Sequence, residues 1–414
     1  MARADSEEHL RARLDSVAAW SLGPGAGRER KRLTYLRVDL SRPGLGLDAS
    51  GTTLMRGVDE VFFLASSVSF TMSEAQAPRS NVETVRHFLG LCSELRALGR
   101  LRALHYVSTA YVATTKKRVA APSPADTEAR FRNSYEYSKA LAEQEIRDSG
   151  IPFSIYRPSI IVGSSRNGRA FGFDTVYNFM RSYARGRLPF LPSDPGHILD
   201  IVCSDYVCET IVALSRTRIG ETFHICAGDT APTIKEVYES IRRAISGFRG
   251  DDSGLELRFF PPELVEGIDT APPGLASSRL RGASRLISAY LPFLSPGVPL
   301  FDITETVGAT GLRPPSLEGY GERVWPYALE HDFGSPTKKG TAAAAARRSR
   351  ASTDRRTDPA AVDGLLARTA RPAPWRSSRR RARSPTPSWR PASTSAPTPS
   401  PGAGSSRARG RRCG

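Results

Sequence analysis

Along the first 250 residues, short apolar runs alternate with longer stretches of helical period. RLTYLRVDL (32–40), VDEVFFLASSV (58–68), LRALHYVSTA (101–110), PFSIYRPSIIVG (152–163), LDIV (199–202) and TFHI (222–225) read as strands. The run at 58–68 is apolar and ends in small residues, as a buried parallel strand and its exit loop should. The run at 32–40 ends in Asp39, and the one at 152–163 is stopped as a strand by Pro158. Between them, helices are expected at 5–20 (amphipathic), 79–99, 133–148, 174–186, from Ser204 and at 233–247, with Asn133 or Ser134 capping the third. Strands alternating with helices of this size predict an α/β fold, a doubly wound parallel sheet covered on both faces. Such sheets carry reactive groups at the carboxyl ends of their strands. Here those ends hold Asp39, Ala65–Ser67, Ser108–Thr109 and Arg157–Ser159. Residues 249–334 change character to prolines and apolar clusters and read as a small cap beside a sheet domain at 1–248.

Charge changes the picture only at the end of the chain. The 414 residues carry a net charge of +17, and the 80 residues from Ser335 account for +16 of it, with 17 Arg, 2 Lys and 3 Asp. The body is therefore close to neutral, and no nucleic-acid partner is expected for it. The segment 335–414 lacks Phe and Tyr and repeats Arg, Ser, Pro, Ala and Thr without a period. Such a composition cannot bury enough apolar surface to offset chain entropy, so a disordered basic tail is expected. RNA or a membrane surface would suit it as a partner. A frame error after Gly334 in GC-rich coding would give the same composition. Cys92, Cys203, Cys208, Cys226 and Cys413 show neither a CxxC nor a framework spacing, and they read as reduced thiols of a cytoplasmic protein. Met1 leads into charged residues rather than a signal peptide, and no apolar run reaches the ~20 residues of a membrane helix. The nearest, LISAYLPFLSPGVPLF (286–301), is broken by three prolines.

The candidate chemistry lies in NSYEYSKALAEQE (133–145). Of 59 basic residues only 7 are lysines, and one of them, Lys139, follows Tyr135 by four. A Y-x-x-x-K pair arises by chance in roughly one chain in five of this composition, so its surroundings carry the reading. The pair opens a helix, which puts both side chains on one face. A strand ending in Ser108–Thr109 precedes it and one ending in RPS follows. Together they make an acid for a carbonyl. A free phenol has a pKa of ~10, and a lysine cation at ~4 Å and an effective dielectric near 20 favours phenolate by up to about 4 kcal/mol. Lysine presents one compact donor where arginine presents a planar fork, and Thr109 would hold the carbonyl oxygen. Tyr137 points about 160° away around the helix.

These residues resemble the extended short-chain dehydrogenase/reductases, in particular their thioester-reductase and fatty-acyl-CoA-reductase ("male sterility"-like) branch. VSTAYV (107–112), FRNSYEYSKALAE (131–143), IYRPSIIVG (155–163), LDIVCSDYV (199–207) and TFHICAG (222–228) are similar to its motifs in order, RVDLSRPGLGL (37–47) and FFLASSVSF (62–70) to its cofactor-side strands, and YALEHDFG (327–334) to the end of some acyl-reductase domains. The resemblance covers most of 1–334 and none of the tail. It implies a Rossmann-like fold and an NADPH-dependent oxidoreductase (NADH being less expected), acting on acyl thioesters of coenzyme A or a carrier protein and giving aldehyde or alcohol. It places Thr109, Tyr135 and Lys139 at the catalytic positions, with Tyr135 and Lys139 also meeting the cofactor. Asp39 and Leu40 match the adenine contact, Ala65, Ser66 and Ser67 the loop over the nicotinamide ribose, Ser159 the loop by the nicotinamide, and Arg3 the contact to the 2′-phosphate. No metal ligand is implied.

The sequence departs from the family at its start. The family opens with a strand and a G-x-x-G-x-x-G turn that holds the pyrophosphate at a helix start. Here GPGAG (23–27) follows a helix and precedes a strand, the reverse order. The chain is therefore expected to begin at the end of the family's second strand, N-terminally truncated through a mis-called start or a shortened gene, and to bind NADPH poorly and fold unstably as written. Smaller departures are Phe63 for a His, Thr84 for a Gly and Cys203 for a Pro. The alternatives are a sugar-nucleotide epimerase or dehydratase on the same scaffold, against which Ala110 and Tyr111 rather than an acid follow Thr109, and a non-catalytic remnant. The apolar stretch 286–301 is expected either to line an acyl channel or to be plain core.

Overall fold

The computed structural model describes residues 7–23, 27–67, 79–114, 117–188, 190–252, 256–271, 277–288, 290–294 and 297–334. The predicted basic tail and Arg3 lie outside them.

Four parallel strands form the main sheet: β1 (Glu60–Phe63), β2 (Ala103–Val107), β4 (Phe153–Pro158) and β8 (Thr222–Ile225), in the order β1-β2-β4-β8. Leu104 pairs with Phe153 and Val107 with Tyr156, so β2 and β4 finish level, at Ser108–Thr109 and Pro158–Ser159. Three two-stranded parallel pairs flank this sheet: β3 (Val119–Ala120) with β10 (Leu300–Phe301), β5 (Ile160–Val162) with β7 (Ile201–Cys203), and β6 (Phe190–Pro192) with β9 (Arg258–Phe260).

The helices are α1 (Glu7–Leu22), α2 (Gly27–Arg30), α3 (Ala49–Met55), α4 (Thr84–Ala97), α5 (Ser134–Asp148), α6 (Val176–Ala184), α7 (Ser204–Thr217), α8 (Ile234–Arg249), α9 (Glu263–Thr270), α10 (Ser278–Ser288), α11 (Leu291–Leu294), α12 (Thr304–Thr310) and α13 (Leu317–Glu330). On one face of the sheet, Phe63, Tyr106 and Ile155 pack against Val85, Leu89 and Cys92 of α4 and Ile146 of α5. On the other, Tyr156, Phe223 and Ile225 pack against Val207, Ile211 and Leu214 of α7. Both faces of the central strands are thus covered, which is why those strands read as continuous apolar runs.

A larger cluster joins α6, α8, α9, α10 and α13 beside the sheet. The closest helix contact in it is α8 on α13. A Cβ on Gly321 would lie 2.6 Å from the Ser240 hydroxyl, which accepts a 3.0 Å hydrogen bond from Trp325 Nε1. Glycine there lets the two backbones approach.

Three expectations are corrected. Residues 33–39 form no strand, and most of them are exposed or half-buried. A strand needs a neighbour's ladder, and no described strand lies beside them. The run at 58–68 is a strand only at 60–63, and it is the sheet's edge rather than a buried strand: Phe62 is 41% and Leu64 65% exposed. The helix expected at 5–20 forms, but it buries only Ala18, so it has no core-facing stripe. The remaining strands and helices form within a few residues of their expected places.

Candidate active site

Three strand ends and one helix start converge. Asn133 caps α5, its side chain accepting from Glu136 N at 2.9 Å, and this fixes where Tyr135 and Lys139 leave the first turns. After β2 the chain turns at Thr109, whose hydroxyl accepts from Tyr111 N at 3.3 Å. The Thr109 hydroxyl lies beside the Tyr135 phenol, near enough to favour its ionised form. Lys139 is buried, 1% exposed. Its ammonium donates to Ser66 Oγ at 2.9 Å and to the Val107 carbonyl at 2.7 Å, and it sits 4.1 Å from the centre of the Tyr106 ring.

Burial dominates the electrostatics. It pushes the Lys139 ammonium down from 10.5 to about 7, against the pull of the Glu143 carboxylate. It raises the Tyr135 phenol above its usual value, with the negative charge of Glu136 adding to the rise and the neighbouring Thr109 hydroxyl opposing it. The expectation that Lys139 lowers the phenol's pKa is therefore corrected. The lysine is itself desolvated, and its recorded hydrogen bonds go to Ser66 and Val107 rather than to the phenol.

A cavity of about 330 Å³ opens over this group. Its floor includes Ser66, Ser108, Thr109, Tyr135, Lys139 and Ser159. Its walls are apolar: Val176 and Phe179 of α6, Leu188, Leu191 and Leu199, and Ile234 and Val237 of α8. Leu286, Ile287, Tyr290, Phe293 and Leu294 complete it. The stretch 286–294 thus lines the same cavity as the tyrosine and the lysine. It is held by Asn178, which donates to Tyr290 Oη at 3.2 Å, and by Ser193, whose hydroxyl donates to the Leu294 carbonyl at 2.6 Å.

The structure brings Thr109, Tyr135, Lys139, Ser66 and Ser159 together and places the other candidates elsewhere. Ala65 and Ser67 flank Ser66 in the loop after β1. Asp39 lies at an exposed turn, accepting from Ser41 N at 3.0 Å and Ser41 Oγ at 2.6 Å. The Leu40 carbonyl meets His87 Nδ1 at 3.1 Å. Neither Asp39 nor Leu40 lines the cavity. Gly23 and Gly27 follow helix α1 rather than a strand, residues 24–26 between them are outside the described set, and a strand does not follow. Ser66, Tyr135, Lys139 and Ser159, which share the cavity lining, could offer donors to the nicotinamide-ribose end of a dinucleotide. The GPGAG stretch does not match the turn its pyrophosphate needs.

Sequence reasoning missed Asn81 and Glu143, and named Arg157 only as part of a strand end. Asn81 accepts from Ser67 N at 2.8 Å and donates to Ser138 Oγ at 2.8 Å, tying the loop after β1 to α5. Glu143 and Arg157, each 1% exposed, pair through two bonds of 2.9 and 2.5 Å behind the site. A signal was available for Arg157, because a charge inside an apolar strand must be paired. Glu143 follows Lys139 by four and so shares its face. Among the described residues no cluster of His, Cys, Asp and Glu could hold a metal, and no helix is long and apolar enough to cross a membrane.

A family model described as male sterility protein matches residues 1–211. Fatty acyl-CoA reductase 1 of Xenopus laevis is 26% identical over 214 residues, 44% of this chain and 41% of that protein. The aldehyde reductase lnaA of Aspergillus flavus is 24% identical over 277 residues, 62% of this chain and 26% of that protein. The chain thus spans well under two thirds of the length of these relatives. The terminal R domain of the myxalamid PKS-NRPS biosynthetic pathway superimposes with a TM-score of 0.63 at 23% identity, covering 81% of this chain and 84% of that one. This last likeness is one of fold.

Proposed function

Because the chain belongs to the male sterility protein family, a branch of the extended short-chain dehydrogenase/reductases, we propose that it reduces acyl thioesters of coenzyme A or a carrier protein with a reduced nicotinamide dinucleotide. The observation that carries the reading is the shared cavity, with Thr109, Tyr135 and Lys139 on its floor and hydrocarbon around it. The cofactor, when bound, supplies the hydride for the thioester carbonyl. Every other part falls to the chain's own residues. Apolar walls take the acyl group and exclude water, which strengthens each polar interaction on the floor. The hydroxyls of Thr109 and Tyr135, side by side on the cavity lining, are placed to donate to the carbonyl oxygen, where negative charge develops. Tyr135 gives up its proton there as general acid. Lys139, as ammonium, offsets the phenolate left behind and offers a donor to a ribose hydroxyl. Collapse of the resulting hemithioacetal breaks the C–S bond, releasing aldehyde and thiol, and a second round gives alcohol.

NADPH rather than NADH follows from the match at Arg3. Ser66, Lys139, Tyr135 and Ser159 would hold its nicotinamide-ribose end, with Ala65 and Ser67 beside them and Asp39 and Leu40 toward the adenine. Residues 1–248 would carry the cofactor and 249–334 the acyl group. The absence of an acid after Thr109 disfavours a dehydratase. Incubation with NADPH and decanoyl-CoA should consume the reductant and release free thiol in step. Saturable NADPH binding with no thiol released from any acyl-CoA or acyl-carrier thioester would overturn the proposal.

A further inference from the structure

The reaction as described makes no use of two deeply buried charges in the sheet domain. Glu143 and Arg157 are both 1% exposed, and they form a two-pronged pair: Arg157 Nε donates to Glu143 Oε1 at 2.9 Å and Nη2 to Oε2 at 2.5 Å. Arg157 Nη1 donates in addition to the Ser123 carbonyl at 2.8 Å. Arg147, four residues further along α5, reaches the same carboxylate at 3.9 Å. An ion pair in such a place is weak evidence for stability. Withdrawing two charges from water costs several kcal/mol per ion, and well-packed apolar residues often serve a core as well. The location of the pair suggests another use.

Glu143 lies one turn after Lys139 on the same face of α5. The Ser108 hydroxyl lies beside its carboxylate, near enough to favour the ionised form though outside hydrogen-bond geometry. Ser108 is the residue before Thr109. Arg157 is the penultimate residue of β4, two residues before Ser159. One carboxylate thus touches or neighbours the helix that carries Tyr135 and Lys139 and the ends of both central strands.

We propose that Glu143, clamped by Arg157, is a positioning residue that holds the end of β4 against α5 and sets a negative charge one helical turn from the Lys139 ammonium.

Its effect on turnover rests on the reductase reading above; its effect on Lys139 does not. The groups facing the Lys139 ammonium are the Tyr106 ring and the Val107 carbonyl from β2 and Ser66 from the loop after β1. Tyr135 and Glu143 share its own helix. Of these groups, only Glu143 bears a formal charge near neutral pH. Burial favours its neutral acid, but the Arg157 guanidinium and its hydrogen bonds outweigh burial and hold the carboxyl below its usual value. The lysine thus has a fixed counter-charge one helical turn away and a desolvated site that would otherwise discharge it.

The test is titration of Lys139 in the full chain by NMR of 13Cε-labelled lysine, with the resonance assigned by Lys139→Arg. Glu143→Gln strands the buried guanidinium, so it is paired with Glu143→Gln/Arg157→Gln, which removes both charges together. The surface change Glu145→Gln on the same helix is the control. The Lys139 midpoint should fall by about one pH unit in the double variant and stay in place in the control. If the wild-type chain turns over acyl-CoA, the alkaline limb of kcat/KM should move down with the midpoint. A rate that falls equally at every pH, an unmoved midpoint, or a double variant that does not fold would overturn the proposal, since the pair would then be a strut. A wild-type chain without turnover removes the reductase reading instead, while the lysine titration still decides for or against Glu143.

Discussion

The floor and the walls of the cavity are built by opposite rules. On the floor Lys139 Nζ is held by Ser66 and Val107, Thr109 accepts from Tyr111 and the loop after β1 is pinned by Asn81, while the Ser108 and Ser159 hydroxyls have no partner among the described residues. The walls present mostly hydrocarbon from α6, α8 and the 286–294 stretch, with polar anchors where Asn178 meets Tyr290, Ser193 meets Leu294 and Tyr238 accepts from Leu257 N. Hydrogen-bonded geometry is directional, whereas apolar contact specifies volume and little else. The floor should therefore fix which reaction occurs and tolerate almost no substitution. The walls should fix which acyl group fits and tolerate exchange of similar volumes.

The largest expected effect comes from breaking the floor. Tyr135→Phe keeps the ring and removes the acid, so turnover should fall by about 10²- to 10⁴-fold with KM for the thioester nearly unchanged. A comparable loss of kcat from a wall substitution would erase the distinction.

The next concerns stability rather than rate. Burial pushes the Lys139 ammonium down to about 7 in the folded chain, from its ordinary 10.5. Below pH 7 both folded and unfolded chains hold its proton, and the burial cost is felt in full. Between about pH 7 and 10.5 the unfolded chain keeps a proton that the folded chain has released, so stability rises with pH through that window. In Lys139→Met, which has no proton to release, denaturant midpoints should lose that rise. A variant that retains it would show that Lys139 is not desolvated.

The smallest effect sharpens the wall side. Ile287→Phe adds volume to the cavity lining. It should shift preference toward shorter acyl chains, with discrimination of about 1–3 kcal/mol per methylene excluded and kcat on short chains preserved. Equal losses on short and long chains would mean that Ile287 is core and not wall.

Much of the floor was legible in the chain because its signals are local. A capped helix start fixes Asn133, Tyr135 and Lys139 together, and apolar strand runs end where Thr109 and Ser159 begin. What failed was non-local. RLTYLRVDL has the pattern of a strand, yet pairing needs a neighbour, and none of the described strands supplies one. The FFLASS run looked buried, yet an edge position leaves Phe62 and Leu64 partly in water. The effect of Lys139 on the phenol was misjudged because spacing on a helix gives proximity and not solvation. A cation with few water contacts holds its own proton less firmly, which weakens its influence on a neighbour's.

By itself the sequence determined the order of strands and helices, the helix that carries tyrosine and lysine on one face, and the family to which these belong. Each of these follows from patterns a few residues long. Only the tertiary structure decided that 286–294 shares a cavity with Tyr135, that Asn81 pins the loop after β1, and that Glu143 and Arg157 meet out of water behind the site. Those outcomes depend on which distant segments exclude solvent from one another, and no short stretch of sequence encodes that.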